Sequence, residues 1–108
     1  MTIPVELTDL PSHIARLGAH ALLVTNSTDG PPHVASVIVT VDRDDLVMGA
    51  GRRSRANAVA SPAVTLVWPE VDGEHCLIVD GTAGGGSAEP FRVRPASAIL
   101  HRLATEPG

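Results

Sequence analysis

The chain has 108 residues, of which 44% are hydrophobic and 19% charged, and its formal net charge is −4. One small core fits this length, separate catalytic and substrate domains do not, and the apolar content excludes a disordered chain, so a single domain over residues 1–108 is expected. The acidic balance and an aromatic content confined to Trp68 and Phe91 argue against a nucleic-acid binder, which needs basic surface and stacking platforms.

Apolar runs such as Ala21-Leu22-Leu23-Val24 fall far short of the roughly 20 residues that cross a bilayer. The first residues, Met1 to Glu6, hold neither a basic leader nor an apolar signal core, so a cytoplasmic protein without membrane contact is expected. A lone cysteine, Cys76, makes no internal disulfide and no thiolate zinc cage, and its neighbours Leu77-Ile78-Val79 point to a buried, inert thiol.

In chain order, Leu10, Ile14 and Leu17 share one helical face between the capping candidates Asp9 and Ser12 and the stop signal Gly18, which predicts a short helix. Residues 21–26 and 33–41 are apolar and β-branched on either side of the turn-forming Ser27-Thr28-Asp29-Gly30-Pro31-Pro32, a hairpin pattern. Asp42 to Asp45 is a second turn, and Leu46 to Ala50 a third strand. The alanine-rich stretch Arg52 to Ser61, closed by Pro62, reads as a helix. Strands follow at 63–68 and 76–83, with a hairpin loop over 84–90. A sixth strand opens at Phe91, with Pro95 at a bulge or edge, and residues 96–103 either extend it or form a helix. Six short strands with one helix between the third and fourth predict a mainly β, antiparallel barrel or sandwich.

Chemistry concentrates at Gly49-Ala50-Gly51-Arg52-Arg53-Ser54-Arg55-Ala56-Asn57. Three arginines within four residues, at the start of a helix whose first amide groups are free, suit an anion, with phosphate as the preferred ligand. Ser54 can cap the helix or donate to the anion, Asn57 lies one turn on, and the small residues 49–51 leave room for a flat ligand. No histidine spacing fits a metal site, and no catalytic residue stands out; His33 and His101 are weaker candidates for a pocket edge. Trp68 suits a core or interface anchor.

This segment, with Ser61-Pro62-Ala63-Val64-Thr65-Leu66-Val67-Trp68 after it, resembles the pyridoxamine 5'-phosphate oxidase-like, FMN-binding split-barrel family. Leu22 to Asn26, His33 to Val37, Leu77 to Ala83, Val93-Arg94-Pro95 and Leu100-His101-Arg102 agree in order, so the resemblance covers about residues 10 to 103. It implies a six-stranded antiparallel split β-barrel with short helices, forming a homodimer with FMN at the interface. Phosphate is then carried onto Arg52, Arg53, Ser54 and Asn57, and the ring and ribityl chain onto Ser36, Val37, Ala50 and Gly51.

Two departures are visible. Ser54 stands where many members hold a lysine, and the vitamin oxidase's Arg-x-His motif has no counterpart after Ala104, so vitamin oxidation is not expected. The resemblance implies a small FMN-dependent oxidoreductase on an unidentified small molecule. The competing readings are a non-catalytic flavin sensor or carrier and a deazaflavin-dependent reductase.

Overall fold

The computed structural model describes residues 2–69, 73–84 and 90–107. Strands β1 (Thr2–Val5), β2 (His20–Thr25), β3 (His33–Ile38), β4 (Thr40–Asp42), β5 (Asp45–Met48), β6 (Ala63–Trp68), β7 (His75–Gly84) and β8 (Phe91–Arg102) are joined by helices α1 (Leu10–Leu17) and α2 (Arg52–Ala60). All pairings are antiparallel, in the order β3-β2-β6-β7-β8-β5-β4, with β1 added on β8.

The β3–β4 junction curls this sheet. The two strands lie at opposite ends of the order, yet only Val39 separates them. Laid flat, seven strands would hold their edges about 29 Å apart at the usual spacing, whereas two Cα steps span at most about 7.6 Å. The sheet therefore rolls until its edges meet, giving a split barrel. Val39 is 2% exposed at the corner, and its amide donates to the Ala19 carbonyl at 2.7 Å.

Among the described residues eight strands stand where six are expected. The corner at Val39 divides the predicted 33–41 strand in two, and β1, which lacks an alternating pattern, is recruited by the far half of β8. Residues 96–102 extend β8, the strand alternative of the two read from sequence. The predicted 84–90 loop lies mostly outside the described residues, although β7 and β8 pair antiparallel on either side of it.

β8 serves both halves of the barrel. Phe91, Arg92 and Val93 pair with β5, whereas Ala98 to His101 pair with β1. Between them the register with β7 shifts, Asp80 facing Ser97 and Gly81 facing Pro95, so Ala96 is the extra residue of a bulge beside Pro95. Gly81 is required there, because a Cβ would stand 2.6 Å from the Arg94 carbonyl oxygen and 2.7 Å from Val93 Cγ1.

The inner faces build the core from Leu23, Leu66, Leu77, Val79, Phe91 and Val93, all fully buried. α1 closes one end with Leu10 and Ile14, and Gly18 ends it at φ 100°. Trp68 is 2% exposed, and its indole Nε1 donates to the Gly18 carbonyl at 3.1 Å, which ties the helix end to β6. Cys76 is buried and free.

The β4–β5 hairpin is held to β8 by ion pairs. Arg94 Nε donates to Asp45 Oδ1 at 2.6 Å, and Arg92 reaches Asp45 Oδ2 at 3.3 Å and Asp42 Oδ2 at 2.8 Å. The Arg94 hydrogen bond first, against some desolvation, and then the charges of Arg94 and Arg92, hold the Asp45 carboxyl below its ordinary range. A carboxyl lowered in the folded state adds stability above its unfolded value and loses it as pH falls through the folded one.

Two outcomes are expected. Gly81→Ala costs about 1–3 kcal/mol by overpacking and lowers Tm by several degrees in a thermal melt. Asp45→Asn lowers Tm at neutral pH, and its gap to the parent chain closes in melts recorded below about pH 4.

Candidate functional site

α2 carries the chain from β5 across the barrel to β6 and packs on β2 and β3. Gly51 is its N-cap, without a side-chain capping bond, and the first intrahelical bond runs from the Arg55 amide to the Gly51 carbonyl at 3.1 Å. The amides before Arg55 thus have no helical acceptor. Ser54 and Ala58, four residues apart, form the buried face, and their small size lets the helix lie close to the sheet. Asn57 Nδ2 donates to the hydroxyl of fully buried Thr25 at 3.2 Å, which pins the helix to the end of β2. Arg55 Nε donates to the Ala50 carbonyl at 2.7 Å, so this arginine braces the turn entering the helix.

Arg53 and Asn57 then face the β2–β3 loop across a polar pocket of about 350 Å³, completed by Ser27, Asp29, Gly30, Pro31, Pro32 and His33. Two of the four residues carried over for phosphate are thereby brought together. Arg52 is exposed and does not line the pocket. Ser54 is 1% exposed, and its hydroxyl faces the protein interior with no hydrogen-bond partner. His33 does line the pocket, as a strand-opening residue can.

Sequence reasoning missed Ser27 and Asp29. Ser27 Oγ donates to Asp29 Oδ1 at 2.9 Å and accepts from the Asp29 amide at 3.3 Å, a local turn of the kind that a Ser-x-Asp spacing signals.

The residues carried over for the ring divide between two faces. Val37 is 5% exposed and points into the core, so only its backbone is available to a ligand. Ser36 points outward between Val34 and Ile38, which are 54% and 59% exposed. β3 is an edge strand, so one row of its backbone N–H and C=O groups is left over by the sheet. Ala50 is half-buried and Gly51 exposed beside α2, and at Gly49 and Gly51 no atom lies within 4 Å of an added Cβ, so the space beside them is open.

Around Ser36 the outer sheet face is largely apolar, with His20, Thr65 and Asp80 as its polar members. Cross-strand register places Leu22, Val24, Val67, Ile78 and Ile99 on the same side as Val34 and Ile38. A larger cavity, about 470 Å³, lies between the Leu7–Asp9 turn, the β4–β5 hairpin and β8; its charged rim is Arg43, Asp44 and the Asp45–Arg94 ion pair that ties the hairpin to β8. Among the described residues no group of three or more His, Cys, Asp or Glu is placed to hold a metal ion. No described helix is long and apolar enough to cross a membrane.

No family profile matches the sequence, and no curated sequence is similar to it. Its fold does have solved counterparts. A candidate pyridoxamine 5'-phosphate oxidase from Listeria innocua superposes with a TM-score of 0.68 at 15% identity, over 88% of this chain and 98% of its own. An FAD-binding protein from Mesorhizobium loti follows at 0.67 and 12%, over 96% and 98%, and an F420 reductase at 0.57 and 17%, over 84% and 93%. These neighbours are pyridoxamine 5'-phosphate oxidase-like and flavin- or F420-binding split barrels, the family that the sequence resembles. At such identities the likeness establishes the fold: this chain is a split β-barrel.

The geometry predicts unequal roles for neighbouring residues. For the FMN ligand that the sequence resemblance implies, Arg53→Ala is expected to weaken binding about ten- to hundredfold, the worth of a charge-assisted hydrogen bond, and to leave riboflavin, which lacks the phosphate, unchanged in the same titration. Ser54→Ala, which removes a buried hydroxyl without a partner, should leave both affinities unchanged and Tm equal or higher.

Proposed function

We propose that this chain is a flavin-binding split barrel acting as a small oxidoreductase, with FMN as the cofactor that the sequence resemblance implies. The observation that carries the reading is the convergence of Arg53 and Asn57 on one polar pocket next to β3, an edge strand with spare backbone groups. The fold's likeness to an FAD-binding protein and an F420 reductase supports the same ligand class.

In this reading Arg53 donates to the phosphate, and Asn57, already anchored on Thr25, offers its remaining N–H. Arg52 adds positive potential from the same helical turn, with Ser54 packing behind it. Ala50 and Gly51 leave the ribityl chain a clear approach. The ring lies along Val34 to Ile38, where backbone groups of β3 and the Ser36 hydroxyl meet its polar edge. Hydride and single-electron transfer are what a flavin supplies when bound; the chain supplies binding, orientation and hydrogen bonds to the ring. This arrangement needs no side-chain acid or base, in keeping with a sequence in which none stands out.

The apolar outer face fits a homodimer. Val34 and Ile38, with Leu22, Val24, Val67, Ile78 and Ile99, form a patch that a second copy would cover. The substrate and electron donor are small molecules, neither nucleic acid nor membrane is a partner, and a cytoplasmic setting agrees with the buried free thiol.

The deciding measurement is the visible spectrum of purified protein after excess FMN and gel filtration with in-line light scattering. About one retained flavin per chain, at twice the chain mass, is expected. A colourless protein overturns the flavin reading, and a monomer that retains flavin overturns the dimer alone.

A further inference from the structure

The pocket at Arg53 is not a wholly cationic site. Among the described residues its charged side chains are one guanidinium, Arg53, and one carboxylate, Asp29, with His33, Asn57 and Ser27 as the remaining polar groups. The chain has no lysine to add. Arg52 and Ser54 do not line the pocket, and Arg55 turns its Nε to the Ala50 carbonyl.

Beside the free amides at the start of α2, the pocket's side chains supply few hydrogen-bond donors. One Asn57 N–H is committed to Thr25, the Ser27 hydroxyl donates to Asp29, and Pro31 and Pro32 have no N–H to give. The loop wall therefore presents an acceptor carrying a negative charge, and the helix wall presents one cation.

We infer that Asp29 is a specificity-determining residue, which sets this pocket to hold the singly charged phosphate of a phosphodiester-tailed flavin in preference to the doubly charged phosphate of a monoester. The inference rests on the flavin reading above and, within it, ranks a phosphodiester-tailed flavin ahead of FMN, the cofactor that the sequence resemblance implies. A monoester carries about −1.5 to −2 at neutral pH and a diester −1. Arg53 compensates the first unit by direct contact, while the second meets the Asp29 carboxylate, with Arg52 acting only from outside the lining. A diester also has one terminal oxygen fewer to satisfy, and its tail can continue out of the pocket.

Dissociation constants of FMN, its phosphate monomethyl ester and riboflavin, measured by flavin fluorescence at pH 8 for the parent chain and Asp29→Asn, test this. Asparagine keeps the oxygen that accepts from Ser27, and the residue is exposed in a loop, so the fold is retained. The parent is expected to bind the methyl ester about threefold or more tighter than FMN. Asp29→Asn should strengthen FMN about tenfold, the ester about threefold and riboflavin not at all, in step with their charges. FMN bound at least as tightly as the ester by the parent, or an equal response of all three ligands to the substitution, overturns the inference. Failure of all three ligands, riboflavin included, to bind the parent chain instead removes the flavin reading on which it rests.

Discussion

The corner at Val39 governs the molecule. Strands adjacent in sequence occupy opposite edges of the sheet, and one buried residue must bridge them. The roll of the sheet follows, as do the interior that Phe91, Leu66 and Leu77 fill and the bend that β7 and β8 make at Gly81. The amide of Val39 is satisfied by the Ala19 carbonyl just after α1, so the first helix helps fix the corner. A polar group left unpaired at so buried a point would cost about 1–3 kcal/mol.

The candidate site inherits its geometry from the same roll. Because β5 and β6 are separated by β7 and β8, α2 must cross the barrel, and it lands on β2 and β3 beside their loop. The bond from Asn57 to Thr25 fixes where it lands. Arg53 then meets residues 27–33 across about 350 Å³, although 20 or more positions separate them in sequence. Neither the loop nor the helix forms this pocket alone.

How legible this was depended on range. Local signals worked: the apolar run Ala63–Trp68, the turn residues 27–32, Gly18 after α1 and Pro62 after α2 all mark elements that are present. The bulge at Pro95 was legible because proline cannot serve a central ladder. What failed is non-local. The division at Val39 has no sequence mark, since valine suits a strand interior and only the closure of the barrel bends it. β1 exists because β8 offers it an edge. At the site, the Arg-rich segment stands out in the sequence as a candidate anion site, but the inward aim of Ser54 depends on which helical face meets the sheet, and Asp29 reads in sequence only as a turn former.

The bond between Trp68 and Gly18 has an optical consequence. The chain contains one tryptophan and no tyrosine, so its intrinsic ultraviolet emission originates almost wholly from a single indole, 2% exposed and tied to the end of α1. A fluorescence-monitored unfolding curve of this protein thus reports the parting of α1 from β6. Unfolding confined to the Arg53 pocket registers in that signal only insofar as it loosens this junction, and circular dichroism, which averages over every strand, separates the two.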